Sequence, residues 1–148
     1  MNRQFVISVV ALFFVTMVLG FVVHGAMLAE DYAKLTGVFR TPKDQEAHFG
    51  YMLAAHVIMA IGFTWVYRAG RDARPWLGQG VRFGLAVATL SVIPGYLIYY
   101  AVQPMPGDLV LKQIVLDTIS MAILGIVAAA VNRDRVASPL VAEDVVHA

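Results

Sequence analysis

Cysteine is absent from the 148 residues. Its absence excludes disulfides, thiolate metal sites and thiol redox catalysis, and it leaves the compartment undecided by cysteine usage. Charge is scarce too: Asp, Glu, Lys and Arg make up 14% of the chain, against about 25% in soluble domains. The 11 basic and 10 acidic residues nearly cancel, and no dense basic block occurs. The electrostatic footprint of a nucleic-acid-binding protein is therefore missing. No internal repeat of useful strength is visible either.

What remains is apolar. Hydrophobic residues make up 59% of the sequence and the mean hydropathy is +0.72, which predicts an integral membrane protein. Four segments approach the roughly 20 residues needed to cross a bilayer: residues 5–28, 49–67, 81–102 and 109–131. They use most of the chain, so the expected fold is an all-α, integral membrane four-helix bundle. A single transmembrane domain over residues 1–135 is expected, followed by a loosely ordered tail at 136–148 that carries Pro139 and two acids. The first apolar run exceeds the roughly 7–15 residues of a signal-peptide core, so it is expected to stay as a helix despite Ala26 and Ala29.

Basic residues orient the bundle. Arg3, Arg68, Arg71, Arg74, Arg82, Arg133 and Arg135 fall on one side; Lys34, Arg40, Lys43 and the embedded Lys112 fall toward the other. The positive-inside rule then places both termini in the cytoplasm. Residues 29–47 intersperse charges with Tyr32, Leu35, Val38 and Phe39, as a short interfacial helix does. Residues 103–108, with Pro104, Pro106 and Gly107, form a tight turn that makes the third and fourth helices a hairpin. Asp108 is expected to cap the fourth helix.

One acid stands out. Asp117 sits near the middle of the fourth span, where a carboxylate costs about 2.5–3.5 kcal/mol on insertion scales and normally faces the protein interior with a partner. Gln113, Asp117 and Ser120 share a helix face with it. On the third span Arg82, Thr89 and Tyr96 recur at seven-residue intervals, with Tyr100 one turn further on; Thr16, Gly20 and His24 align on the first, and Met52, His56, Met59 and Phe63 on the second. At 1.5 Å per residue Asp117 lies about 12 Å from the outer helix end, His56 about 10 Å, Tyr96 about 9 Å and His24 about 6 Å. The expected site is an outward-opening polar pocket in which Asp117 pairs with His56, with Tyr96, Gln113 and His24 as further donors or acceptors. Arg82, near the inner surface, is too far away and snorkels to water, and Lys112 does the same near the outer surface.

The bland alternative is that these groups only bond helices together, at an average of about 0.6 kcal/mol per contact. A bis-histidine haem would need two of His24, His48 and His56 to face each other. The eight-residue spacing of His48 and His56 does not match compact helical metal sites, and Glu-x-x-His is absent. Neither a metal nor a cofactor is therefore expected. Gly80, Gly84 and Ala88 form a small-xxx-small row suited to close helix packing, within the bundle or against another copy or subunit. Pro94-Gly95 frees a carbonyl near Leu90 and predicts a kink.

The segment Trp76-Leu77-Gly78-Gln79-Gly80-Val81-Arg82-Phe83-Gly84, followed by Pro94-Gly95-Tyr96-Leu97-Ile98-Tyr99-Tyr100, resembles a pattern in small four-helix bacterial inner-membrane proteins of unknown function. Tyr32-Ala33-Lys34-Leu35-Thr36-Gly37 after the first span is similar as well. The resemblance implies a four-helix fold in a bacterial inner membrane and transfers no catalytic residue. The leading expectation is a small non-catalytic membrane protein, an accessory or assembly subunit of a larger complex whose partners are lipids, other subunits or itself. The competing expectation is a ligand- or proton-handling protein, transporter or enzyme, built on Asp117 and His56. In that case a solute path would need an oligomer.

Overall fold

The computed structural model describes residues 2–35, 37–72 and 75–133. The tail expected at 136–148 lies outside them. The order is α1 (Arg3–Gly20), which continues as a π-helix (Phe21–Met27), then the short α2 (Ala29–Ala33) and α3 (Pro42–Ala47). There follow α4 (Phe49–Gly70), α5 (Trp76–Val87), a second π-helical stretch (Ala88–Val92), α6 (Ile93–Val102) and α7 (Gly107–Asn132). Among the described residues four helical segments are long and apolar enough to cross a membrane: Arg3–Met27, Phe49–Gly70, Trp76–Val102 and Gly107–Asn132.

The third span begins five residues before the apolar run does, because residues 76–80 also fold as helix. Gln79 is held there by hydrogen bonds: the Tyr67 hydroxyl donates to its Oε1 at 2.9 Å, and its Nε2 donates to Asp72 Oδ1 at 2.7 Å. Asn2 caps α1 through the Gln4 amide, and Thr41 caps α3 through Asp44 N with Pro42 in the first turn. Asp108, expected as a cap, lies inside the first turn of α7, which follows Pro106 without a side-chain cap. There its carboxylate meets the positive end of the helix dipole. Between α2 and α3 the chain turns at Gly37, whose φ of 83° suits a residue without Cβ.

The fourth span is the centre of the bundle and touches α1, α4, α5 and α6. Its tightest contact is with α5. An added Cβ on Gly80 would sit 2.6 Å from the Gly125 carbonyl oxygen and 2.8 Å from Ala129 Cβ, and one on Gly84 would fall on the Met121 carbonyl. Ala88 is fully buried. The small-residue row thus lets two backbones meet, a distance at which Cα–H groups reach carbonyl oxygens.

Two apolar cores result, one toward each end. Near the chain termini Leu12, Phe63, Tyr67, Leu124 and Ala128 pack together, with Phe83 edge-on to both Phe63 and Tyr67. At the other end Val23, Leu28, Met105, Leu109 and Val110 pack with Tyr32 and Leu35, so α2 is folded into the bundle rather than laid beside it. The terminus-side core is closed by polar contacts around the last turn of α7. Asn132 donates to Ser8 Oγ at 2.6 Å, Arg68 donates to Asn132 Oδ1 at 3.2 Å, and Arg71 and Gln4 donate to the carbonyls of Asn132 and Val131. Basic side chains on the final carbonyls satisfy groups that the helix leaves open.

The outward surface is greasy: Phe21, Tyr51, Ile58, Trp65, Leu90 and Ile98 are all more than 60% exposed. In a soluble protein such a surface would aggregate; in a bilayer it is the lipid-facing side.

Candidate functional site

Asp117 is approached from two sides. The Tyr96 hydroxyl donates to Oδ2 at 2.5 Å, and His24 Nε2 lies 3.3 Å from Oδ1. The other nitrogen of the same imidazole, Nδ1, is 2.7 Å from the Tyr32 hydroxyl. Gln113 Nε2 donates to that hydroxyl at 3.1 Å. The His24 and Tyr32 rings are stacked, with centroids 6.0 Å apart. One continuous chain therefore runs from Tyr96 through Asp117, His24 and Tyr32 to Gln113, drawing on α1's π-helical extension, α2, α6 and α7.

Both partners of Asp117 depend on a π-helical stretch. Tyr96 follows Ala88 by eight residues, which in a regular helix places it about 80° round from the Gly80, Gly84, Ala88 face. The Ala88–Val92 stretch absorbs about one extra residue, so the effective spacing becomes seven, close to two full turns. Tyr96 is thereby turned toward α7, whereas Arg82 and Thr89, expected on the same stripe, are exposed. Thr89 and Ser91 donate to the carbonyls of Leu85 and Val87 at 2.9 and 2.8 Å, sharing the backbone groups loosened near Pro94. On α1 the wide turn is closed by Leu28 N donating to the Val23 carbonyl at 2.9 Å, which buries both side chains and leaves His24 beside Asp117.

His56 is not the partner. Its Nδ1 is 2.7 Å from the Met52 carbonyl of its own helix, and its Nε2 faces Gly20 of α1. The depth count placed His56 at the right height but could not give its direction. The buried residues of α4, namely Ala60, Phe63, Thr64 and Tyr67, all lie C-terminal to His56. The half of α4 that carries His56 packs on α1 and never reaches Asp117. Thr16, Gly20 and His24 likewise part company: Thr16 is buried, Gly20 meets His56, and His24 meets Asp117. Ser120 is buried, its hydroxyl donating to the Leu116 carbonyl at 3.0 Å.

Tyr32 and Asp31 are the residues that the sequence reading placed in a short interfacial helix, outside the expected pocket. The available signal was the spacing of Leu28, Tyr32 and Leu35, an apolar face at four and three residues. Burial pushes the Tyr32 phenol above its ordinary pKa, so it remains protonated and can both donate and accept. Asp31 binds Lys112 at 2.7 Å and Lys34 at 3.8 Å, and the Lys112 ammonium holds its carboxyl below the usual range. Lys112 therefore pins α2 to α7 instead of reaching freely for water.

The hydrogen-bond chain has two self-consistent proton inventories. With a neutral imidazole, His24 Nε2 lies 3.3 Å from Asp117 Oδ1, Tyr32 donates to Nδ1, and Gln113 donates to Tyr32. In that state Gln113 Oε1 is buried without a hydrogen-bond partner, which costs about 1–3 kcal/mol. With an imidazolium, Nδ1–H would donate to Tyr32, and Tyr32 to Gln113 Oε1 after a half-turn of the amide, which moves Nε2 into the buried position that has no partner.

Among the described residues no group of three or more His, Asp or Glu converges as a metal site would require. Both nitrogens of His24 are engaged, and His48 Nδ1 is 2.7 Å from the Asp44 carbonyl. In comparisons with known proteins, no family model, curated protein or solved structure matches this chain.

Proposed function

We propose that the protein is a proton-handling membrane protein whose working centre is the Asp117–His24 pair, relayed through Tyr32 to Gln113. The observation that carries this reading is the imidazole bridge: one ring joins a carboxylate at 3.3 Å to a phenol at 2.7 Å. An imidazole changes charge within the physiological range, and an ionisable group inside a membrane span is expensive unless it is used. The location that fits is a bacterial inner membrane with both termini in the cytoplasm, supported by the placement of the arginines and by the resemblance described above.

The test is a pH titration of the reconstituted protein by difference infrared spectroscopy and by nitrogen NMR of labelled histidine. Between about pH 4 and pH 9, the range spanning ordinary carboxylate and imidazole values, His24 should change tautomer or charge together with a carboxyl band that vanishes in Asp117→Asn. Identical titrations in the wild type and Asp117→Asn would sink the proposal.

A second reading, an accessory or assembly subunit, is favoured by α3. This helix buries none of its residues and its main contact is with α4, so its charged surface is presented outward. Mild purification followed by mass spectrometry of accompanying proteins separates the two. Partners lost in Lys43→Ala/Glu46→Ala but retained in Asp117→Asn would support the subunit role.

A further inference from the structure

We infer that the groove between the end of the first span and the start of the fourth is a specific site for one phospholipid, whose headgroup carries both a phosphate and a primary amine. The groove has a volume of about 400 Å³, and its walls are Met27, Leu28, Leu111, Val115 and Leu116. This is at the small end of ligand sites, roughly 300–1,000 Å³; it takes one acyl chain and leaves the second in the bilayer. The inference is independent of the proton-handling reading.

The rim selects the headgroup. Asp31 and Lys112 line the same groove and are joined at 2.7 Å, with Lys34 at 3.8 Å from Asp31. Asp108 stands one turn before Lys112 and acts electrostatically on it. One ammonium and one carboxylate thus line the mouth, with Lys34 beside Asp31 and Asp108 one turn from Lys112. Lys112 is about 8 Å along α7 from its start, a depth from which its stem reaches the headgroup layer. Each lysine has three N–H donors and each carboxylate about four acceptor sites, so the internal pairs leave capacity on both signs. A phosphate can bind the lysines while an ammonium binds the acids. An anionic glycerol headgroup offers the carboxylates only neutral hydroxyl donors, weaker partners than an ammonium. A choline headgroup has the right charges but no N–H donor, so an ethanolamine headgroup fits best.

The experiment uses native mass spectrometry of the full chain in detergent, offered an equimolar mixture of phosphatidylethanolamine, phosphatidylcholine and phosphatidylglycerol with identical acyl chains. The wild type should retain the ethanolamine lipid about fivefold over either competitor, the scale of one surface charge contact. Lys112→Met removes a rim charge and Leu116→Trp fills the groove while leaving the rim intact; each should abolish the preference. Asp44→Asn, on the same loop but off the rim, should keep it. Equal retention of the three lipids by the wild type, or a preference for phosphatidylglycerol, overturns the inference. So does an unchanged preference in Leu116→Trp, which also guards against misfolding of the charge variant. Persistence of the preference in Asp117→Asn is expected, since that variant tests only the proton chain.

Discussion

At the scale of single residues, Asp117 is held by one neutral donor and one titratable one. Tyr96→Phe removes the hydroxyl that donates at 2.5 Å but preserves ring packing. It should cost about 0.6 kcal/mol, and no more than about 1.7, in detergent-driven unfolding, while leaving the His24 titration detectable. Asp31 offers a pH test outside the membrane spans. Its carboxyl is held below the ordinary value of 3.8 chiefly by the hydrogen bond from Lys112. The pairing therefore adds stability above that value, and the contribution disappears as pH falls through the lowered one. Amide protection in α2 should drop on acidification below about pH 4. In Asp31→Asn protection should already be reduced at neutral pH and show no acid step. A wild-type α2 that stays fully protected in acid would show that the Asp31–Lys112 pair does not hold it.

At the scale of elements, the two π-helical stretches decide which side chains meet. Leu90 is 82% exposed within the second stretch, so its deletion removes no packed side chain while returning the helix to regular winding. The expected result is a folded bundle in which Tyr96 has turned off Asp117, read as loss of the Tyr96 hydroxyl shift in NMR with unchanged helicity. The contact of α5 with α7 gives a stability contrast. Gly84→Ala drives a methyl into backbone and should cost about 1–3 kcal/mol, whereas a Cβ at Gly62 meets nothing within 4 Å. Gly62→Ala should be neutral or stabilise by up to about 1 kcal/mol through helix propensity. Equal effects of the two substitutions in unfolding experiments would contradict the close approach of the two helices.

At the scale of the whole molecule, α7 is the hub, and α4 packs chiefly on α1, with its buried residues all C-terminal to His56. Reporter fusions test the proposed orientation. Both termini should report cytoplasmic, and an insertion between α3 and α4 should report the opposite side. The reverse pattern would move the Asp117 network to the cytoplasmic face and redirect any proton exchange. The lipid groove and the proton chain share this end of the bundle, since Leu28, Asp31, Lys112 and Leu116 neighbour network residues in sequence or stand one turn away.

The sequence by itself determined four helices long and apolar enough to span a membrane, a tight third turn, and the need of Asp117 for polar partners, because hydropathy, turn chemistry and the cost of a carboxylate in an apolar span act locally. It also placed Tyr96, Gln113 and His24 near that acid, since rise per residue depends on little else. Only the tertiary structure decided that His24 and not His56 meets Asp117, because direction round a helix depends on which neighbours it packs against and on π-helical stretches that shift the phase by about one residue. The same holds for Tyr32. Its place in the chain required Leu28 and Leu35 to find a core built from residues seventy or more positions away, Met105, Leu109 and Val110, and the local spacing of these side chains shows an apolar face but not what it packs against.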